Sequence, residues 1–347
     1  MRTSELDTPA LVVDLDVLER NIAGMAAHCD DLGIAQRVHT KTHKTPEIAK
    51  MQVAAGSRGI TCQKLGEAEA MADGGLDDIL IPYNIVGKPK LARLVDLCRR
   101  ARITVAVDST DTVVGISHAA DAAGIEIPLL VEMDTGSRRC GVQSPAAVTM
   151  MAQHIESSPG VAFAGVMTYP SRTSAHGFID ETVESLGSSG MDAHIISGGG
   201  TGSERASREI GCTETRSGSY AYEGMTRVGR SEDLTAERCA LRMIVTIVSV
   251  PTPDRIIIDA GQKSFTSYPP TPYGHIIEQP AAKITGMSVE HGHVDTSECA
   301  RHFYVGEHLS VIPLHQGMTS NLHDELVAVR GDEVEETWRI AGRGRVK

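Results

Sequence analysis

Two lysines and two histidines fall within six residues, His39-Thr40-Lys41-Thr42-His43-Lys44. The stretch sits where a strand should end and a helix should start, at Thr45-Pro46-Glu47. A lysine amine becomes a nucleophile only after losing its proton. Neighbouring positive charge and partial burial both lower its pKa from a reference of ~10.4. His39, His43 and Lys44 are the neighbours that sequence supplies to Lys41. A solvated basic loop is the plainer fate of such a cluster. The rest of the chain decides between the two.

A second chemistry-bearing stretch is the run Ser197-Gly198-Gly199-Gly200-Thr201-Gly202-Ser203, followed by Ser217-Gly218-Ser219-Tyr220. Glycines let a backbone approach an anion closely, and a following helix start presents free N–H groups to phosphate. No G-x-x-x-x-G-K-[ST] pattern accompanies them, which argues against a nucleoside triphosphate. A phosphate pocket across from an activated lysine points to pyridoxal phosphate. Its aldehyde condenses with an amine, its phosphate needs backbone donors and its ring nitrogen needs a polar partner. A lysine-dependent aldolase acting on a phosphorylated sugar is the competing reading of the same residues.

These groups need a scaffold that brings them to one face. Short apolar, β-branched runs recur at 37–40, 59–62, 78–82, 103–107, 128–133, 162–168, 193–197 and 214–216. Helical patterns separate most of them, at 46–55, 65–73, 89–100, 112–123 and 145–157. Eight alternating units predict an α/β fold, a (β/α)8 barrel over residues 16–235, with a doubly wound open sheet as the alternative. Barrel chemistry sits at the carboxyl ends of strands. Those ends carry Lys41, Gln63, Tyr83, Asp108, Asp134, Tyr169 and the two glycine-containing loops. Beyond residue 236 the helical period fades. Strand-like runs at 240–250, 255–259, 275–277, 282–289, 308–312, 325–329 and 335–340 predict a mostly-β domain over 236–347, joined by residues 1–15.

The chain has 347 residues and a net charge of −12, which argues against nucleic-acid and anionic-membrane partners. No apolar run is long enough to span a bilayer. Seven scattered cysteines without a C-x-x-C read as reduced thiols, hence a cytoplasmic setting.

Several motifs run in one order along the whole chain. They are Asp7-Thr8-Pro9-Ala10, the His39–Lys44 loop, Glu132-Met133-Asp134-Thr135-Gly136 with Arg139-Cys140-Gly141-Val142, Ser197–Ser203, Gly218-Ser219-Tyr220, Asp259-Ala260-Gly261, Glu290-His291-Gly292 and Asn321-Leu322-His323-Asp324. In this combination the chain resembles the D-threonine aldolase and D-serine dehydratase-like group of fold-type III pyridoxal phosphate enzymes, relatives of the alanine racemase N-terminal barrel. The resemblance implies that Lys41 carries pyridoxal 5'-phosphate. Gly199, Gly200, Thr201, Gly218 and Ser219 would hold its phosphate and Tyr169 would face its ring nitrogen. His39, Gln63 and Tyr220 would line it, and Arg139 would orient the ring or pair with Asp134. Lys41, His43 and His315 would handle protons. The family also places a divalent metal (Mg, Mn or Zn) on a histidine and a Cys or Asp two residues on. Here His315 is kept, but Gly317 stands at the second position, leaving His323 or Asp324 as possible substitutes. A histidine that many members carry shortly after the tyrosine is also missing, and His176 is only near in sequence.

The implied activity is a lyase on a β-hydroxy D-amino acid, by retro-aldol cleavage to glycine and an aldehyde. β-Elimination of the D-serine dehydratase type and amino-acid racemisation, with Tyr268 or Tyr273 as second base, are the alternatives. A non-catalytic cofactor carrier fits poorly with so large a second domain. The resemblance further implies a homodimer.

Overall fold

The computed structural model describes residues 1–229 and 234–347. Two compact units are distinct: residues 24–41, 46–218 and 345–347 form one, and residues 1–23, 42–45 and 219–344 the other. Strand β1 (Ala10–Asp14) belongs to the latter.

The first unit is a parallel barrel. Its strands are β2 (Ala35–Gln36), β3 (Val38–His39), β4 (Ile60–Thr61), β5 (Asp78–Ile81), β6 (Arg102–Val107), β7 (Ile127–Met133), β8 (Val161–Thr168), β9 (Ile195–Gly199) and β10 (Glu214–Arg216). Pairing runs from β3 through β10 in sequence order, and β10 returns to β2. β2 and β3 are two halves of one extended run, interrupted at Arg37. Its amides still donate to β10 and beyond, Arg37 N–H to the Thr215 carbonyl and His39 N–H to that of Ser217, each at 2.9 Å. The eight predicted strands are therefore present and the sheet closes, so the open-sheet alternative falls.

Sequence explains the strands. β7 (Ile-Pro-Leu-Leu-Val-Glu-Met) and β6 (Arg-Ile-Thr-Val-Ala-Val) are nearly continuous apolar runs, as expected when both faces are buried. Their period of two sorts side chains by depth inside the barrel. On β7, Pro128 lines a cavity at the amino-terminal end and Leu130 joins Leu80, Ala106 and Met167 in a central cluster. Two residues on, Glu132 reaches the carboxyl end and bonds Arg139. At the amino-terminal end, buried Arg37 is neutralised by Glu214 at 3.0 Å and Asp78 at 2.5 Å.

The helices begin where capping side chains allow. Ser109 accepts the Thr112 amide ahead of Thr110–Ala123, so that helix starts two residues before its apolar period does. Ser144 does the same before Pro145–Glu156, with proline at the favourable first position.

In the second unit, β11 (Leu241–Thr252), β12 (Arg255–Ile258), β13 (Gly274–Ile276), β14 (Lys283–Met287), β15 (Gly292–Asp295) and β16 (His308–Pro313) pair in a closed ring. β11 closes it by pairing β16 with its first half and β12 with its second, across register shifts. β1 adds antiparallel to β11, followed by β17 (Glu325–Arg330) and β18 (Glu333–Arg339). The amino-terminal strand thus pairs into the second sheet. The single run expected at 282–289 is instead β14 of a hairpin, whose return strand β15 sequence reading missed. Its residues Gly-His-Val-Asp are mostly poor strand formers, and only pairing with β12 and β14 extends them.

Among the described residues no helix is long and apolar enough to cross a membrane, and all seven cysteines are unpaired.

Candidate active site

Lys41 lies on the short turn Thr40–Thr42 that ends β3. The Thr40 hydroxyl ties this turn to β4 by donating to the Thr61 carbonyl at 3.1 Å. Burial is the largest influence on the Lys41 amine and lowers its pKa. Next come the guanidinium groups of Arg139 and Arg216, while Glu67 opposes them. This corrects the source of the positive field. His39 is held well below the usual histidine range, chiefly by burial and then by Lys41, and carries no charge near pH 7. Lys44 bonds Asn321 Oδ1 at 2.7 Å, and His43 is fully buried against the Tyr222 ring with its Nδ1 accepting the Thr45 amide.

The His39 tautomer follows from its contacts. Its Nδ1 accepts the Lys41 amide at 3.4 Å, so Nε2 carries the proton and donates to Gln63 Oε1 at 3.1 Å. Gln63 is fixed in turn by Glu67, which accepts its backbone N–H at 2.8 Å.

Tyr169, at the end of β8, faces two cations. Lys41 Nζ is 5.6 Å from its ring centroid and Arg139 Cζ is 5.0 Å away. Arg139 bonds Glu132 at 3.3 Å rather than Asp134, which instead accepts the amides of Gly136 and Arg138 in its own loop. Burial raises the Glu132 pKa against the lowering effect of Arg139.

The glycine loops stand beside this cluster. Gly200 has φ +113°, and a Cβ there would lie 3.5 Å from Tyr169 Cε2. The Gly199 amide is already donated to Ser171 Oγ, and Gly218 N–H reaches Thr201 Oγ1 at 3.0 Å. A Cβ on Gly218 would meet the His39 carbonyl oxygen at 2.5 Å, so only glycine lets β10 close against β3. Sequence reasoning missed Arg216. It is buried at the end of β10 and donates to Ser197 Oγ at 2.6 Å and the Thr168 carbonyl at 2.7 Å. The available signal was an arginine inside a strand that must be buried on both faces.

Ser219, Tyr220, His43, His315, His323 and Asp324 belong to the second unit. There the His315 ring stands edge-on to Tyr268, with centroids 5.0 Å apart, and burial lowers its pKa. His323 Nε2 bonds the Ser264 carbonyl at 2.9 Å, and Asp324 pairs with Arg343 at 3.2 Å. Among the described residues no group of three or more His, Cys, Asp or Glu side chains is arranged to hold a metal. With no side-chain donor at Gly317, and His323 and Asp324 engaged with Ser264 and Arg343, the second ligand that a resident metal would need beside His315 is not supplied by these residues. Pyridoxal phosphate, by contrast, fits the barrel end, where an accessible amine of lowered pKa, a polar ring and a left-handed glycine loop converge.

A closed parallel barrel with that constellation at its carboxyl end defines an alanine racemase-like barrel protein. Residues 13–225 match the family described as alanine racemase, N-terminal domain, and residues 240–329 match the putative serine dehydratase domain. The chain is 39% identical to a D-threonine aldolase from Arthrobacter sp, over 98% of this chain and 94% of that one. It is 34% identical to a 3-hydroxy-D-aspartate aldolase from Paracoccus denitrificans, over 99% and 94%. The crystal structure of a D-threonine aldolase from Filomicrobium marinum superposes with a TM-score of 0.93 at 30% identity, covering 100% of this chain and 98% of that one. The chain belongs to the D-threonine aldolase family.

Proposed function

We propose that this protein is a pyridoxal 5'-phosphate-dependent lyase that cleaves the Cα–Cβ bond of β-hydroxy D-amino acids, giving glycine and an aldehyde. The observation that carries this reading is Lys41, an accessible amine of lowered pKa at the end of β3, in the same barrel mouth as the Gly200 loop. Lys41 would hold the cofactor's aldehyde carbon. Gly200, Thr201, Gly218 and Ser219 would hold its phosphate, with Gly199 giving close access, and Tyr169 would face the ring nitrogen. His39, Gln63, Arg139 and Tyr220 complete the lining. When bound, the cofactor supplies an electron sink for the pair released from the broken bond.

The chain's own residues supply the rest. Burial together with Arg139 and Arg216 keeps a larger share of the Lys41 amine unprotonated than an ordinary lysine would have, which suits it to bond formation and proton transfer. The β-hydroxyl proton needs a neutral base. The family resemblance assigns that task to His315, whose imidazole burial holds below the usual range, leaving one ring nitrogen unprotonated at pH 7. His43 is fully buried against Tyr222 and suits positioning of its loop. No step is assigned to a metal.

The protein would act as a cytoplasmic homodimer. Tyr268, Val289, Tyr304 and Val305, all exposed on the second unit, suit burial against a second copy.

Incubation with D-threonine tests the reading: glycine and acetaldehyde support it. Pyruvate and ammonia from D-serine would instead mark a dehydratase, and the L-enantiomer a racemase. Absence of all of these from cofactor-loaded protein would refute it.

A further inference from the structure

The barrel end holds a second concavity that cofactor binding does not account for. A pocket of about 510 Å³ opens between the ends of β4, β5 and β7, lined by Gln63, Tyr83, Asn84, Lys90, Glu132 and Arg139 among others. It shares Gln63 and Arg139 with the lysine site described above. Its charge balance is positive. Lys90, half-buried on the first turn of the helix Lys88–Cys98, has no carboxylate partner among the described residues. That helix begins at Gly87 without a side-chain cap, so its positive end adds to the field of Lys90. Among the described lining residues Glu132 is the one carboxylate, and it is already bonded to Arg139. A guanidinium carries five N–H donors, and Glu132 takes one of them at 3.3 Å. The Asn84 side-chain oxygen is buried in the pocket wall with no donor. Native structures rarely leave such an atom unsatisfied, so it marks a place where an incoming hydroxyl or ammonium completes the wall.

We infer that this pocket receives a carboxylate of the amino-acid substrate, held by the Lys90 ammonium and the Arg139 guanidinium, with Asn84 accepting from a neighbouring hydroxyl or amine. The inference rests on the reading of the chain as an amino-acid lyase. A phosphate suits the pocket less well, since the uncompensated charge is close to one unit and the glycine loops already serve that group. The carboxylate has two possible sources: the α-carboxylate that every amino acid carries, or a side-chain carboxylate such as that of 3-hydroxyaspartate.

Lys90→Met keeps most of the length of the side chain and removes its charge, and Lys90→Arg keeps the charge. Binding of D-alanine and D-aspartate, which lack the β-hydroxyl, is measured on cofactor-loaded protein by calorimetry. Lys90→Met should weaken binding ~10-fold, the scale of one lost charged hydrogen bond, while Lys90→Arg stays near the native value. An equal loss for both ligands assigns the pocket to the α-carboxylate, and a loss for D-aspartate alone assigns it to the side chain. Unchanged affinity for both ligands in a folded Lys90→Met protein would overturn the inference. So would a Lys90→Arg protein as weak as Lys90→Met. If the native enzyme cleaves neither D-threonine nor 3-hydroxy-D-aspartate while D-aspartate binding still depends on Lys90, the lyase reading fails and the carboxylate site stands.

Discussion

Lys41 and His39 are adjacent side chains whose protonation the fold moves in the same direction for related reasons. Burial lowers the Lys41 pKa from 10.5, and Arg139 and Arg216 lower it further. Lys41 should therefore react with amine reagents at lower pH than the other exposed lysines. Arg139→Met removes the largest charge contribution after burial, so the pH profile of that reaction should move to higher pH. A profile that does not move would dissociate Arg139 from the lysine. Borohydride reduction of the cofactor-loaded protein should label Lys41, and the label should be absent in Lys41→Ala. Label on Lys44 would instead require the amine now bonded to Asn321 to be the reactive one. His39 gives a stability signature. Its folded pKa lies well below the unfolded 6.5, so below pH 6.5 the unfolded chain takes up a proton that the folded one refuses. Its stabilising contribution is fully present above 6.5 and is lost as pH falls towards the folded pKa, at up to ~1.4 kcal/mol per pH unit. Denaturant unfolding of His39→Gln should show a shallower acid limb than the native protein.

The junction of β3 with β10 shows how an element creates the site. Gly218→Ala would drive a Cβ into the His39 carbonyl at 2.5 Å, so the strand ends must part. A cost of ~1–3 kcal/mol in stability and a clear loss of cofactor affinity are expected, read by denaturant titration and by cofactor absorbance. Gly187→Ala is the control. That glycine lies in the helix His176–Ser188, with nothing within 4 Å of a new Cβ, and alanine should stabilise by ~0.5–1 kcal/mol. Native-like cofactor binding in Gly218→Ala would show that the closure is not needed. Element boundaries were legible wherever an apolar run and a capping residue coincided, as at Ser144-Pro145. They were illegible at β15, because Gly292 and His293 carry no strand signal and owe their extension to the neighbours β12 and β14.

At the scale of the whole molecule, the second unit holds the test of metal dependence. With His315 opposite Tyr268, His323 bonded to Ser264 and Asp324 to Arg343, chelator treatment should change activity by less than about twofold, the loss of a fixed site being far larger. Gly317→Asp is sterically admissible, because a Cβ there meets only Thr42, at 3.4 Å and beyond. It should raise affinity for a divalent ion, measured by calorimetry. A stoichiometric metal in the native protein, removed together with activity by a chelator, would contradict this. Light scattering should give the mass of a dimer. The sequence by itself determined the alternation of eight apolar runs with helices, hence the barrel. It also placed Lys41, Tyr169 and the glycine loops at strand ends, because strand period and turn chemistry are local. The tertiary structure decided which charges act on Lys41. Arg139 and Arg216 are about a hundred residues or more from it in the chain, and only barrel closure brings their guanidinium groups to the Lys41 amine. His43 and Lys44, the basic residues that follow it in sequence, turn instead to Tyr222 and Asn321. An electrostatic field falls with distance in space, and sequence spacing measures that distance only within a single element.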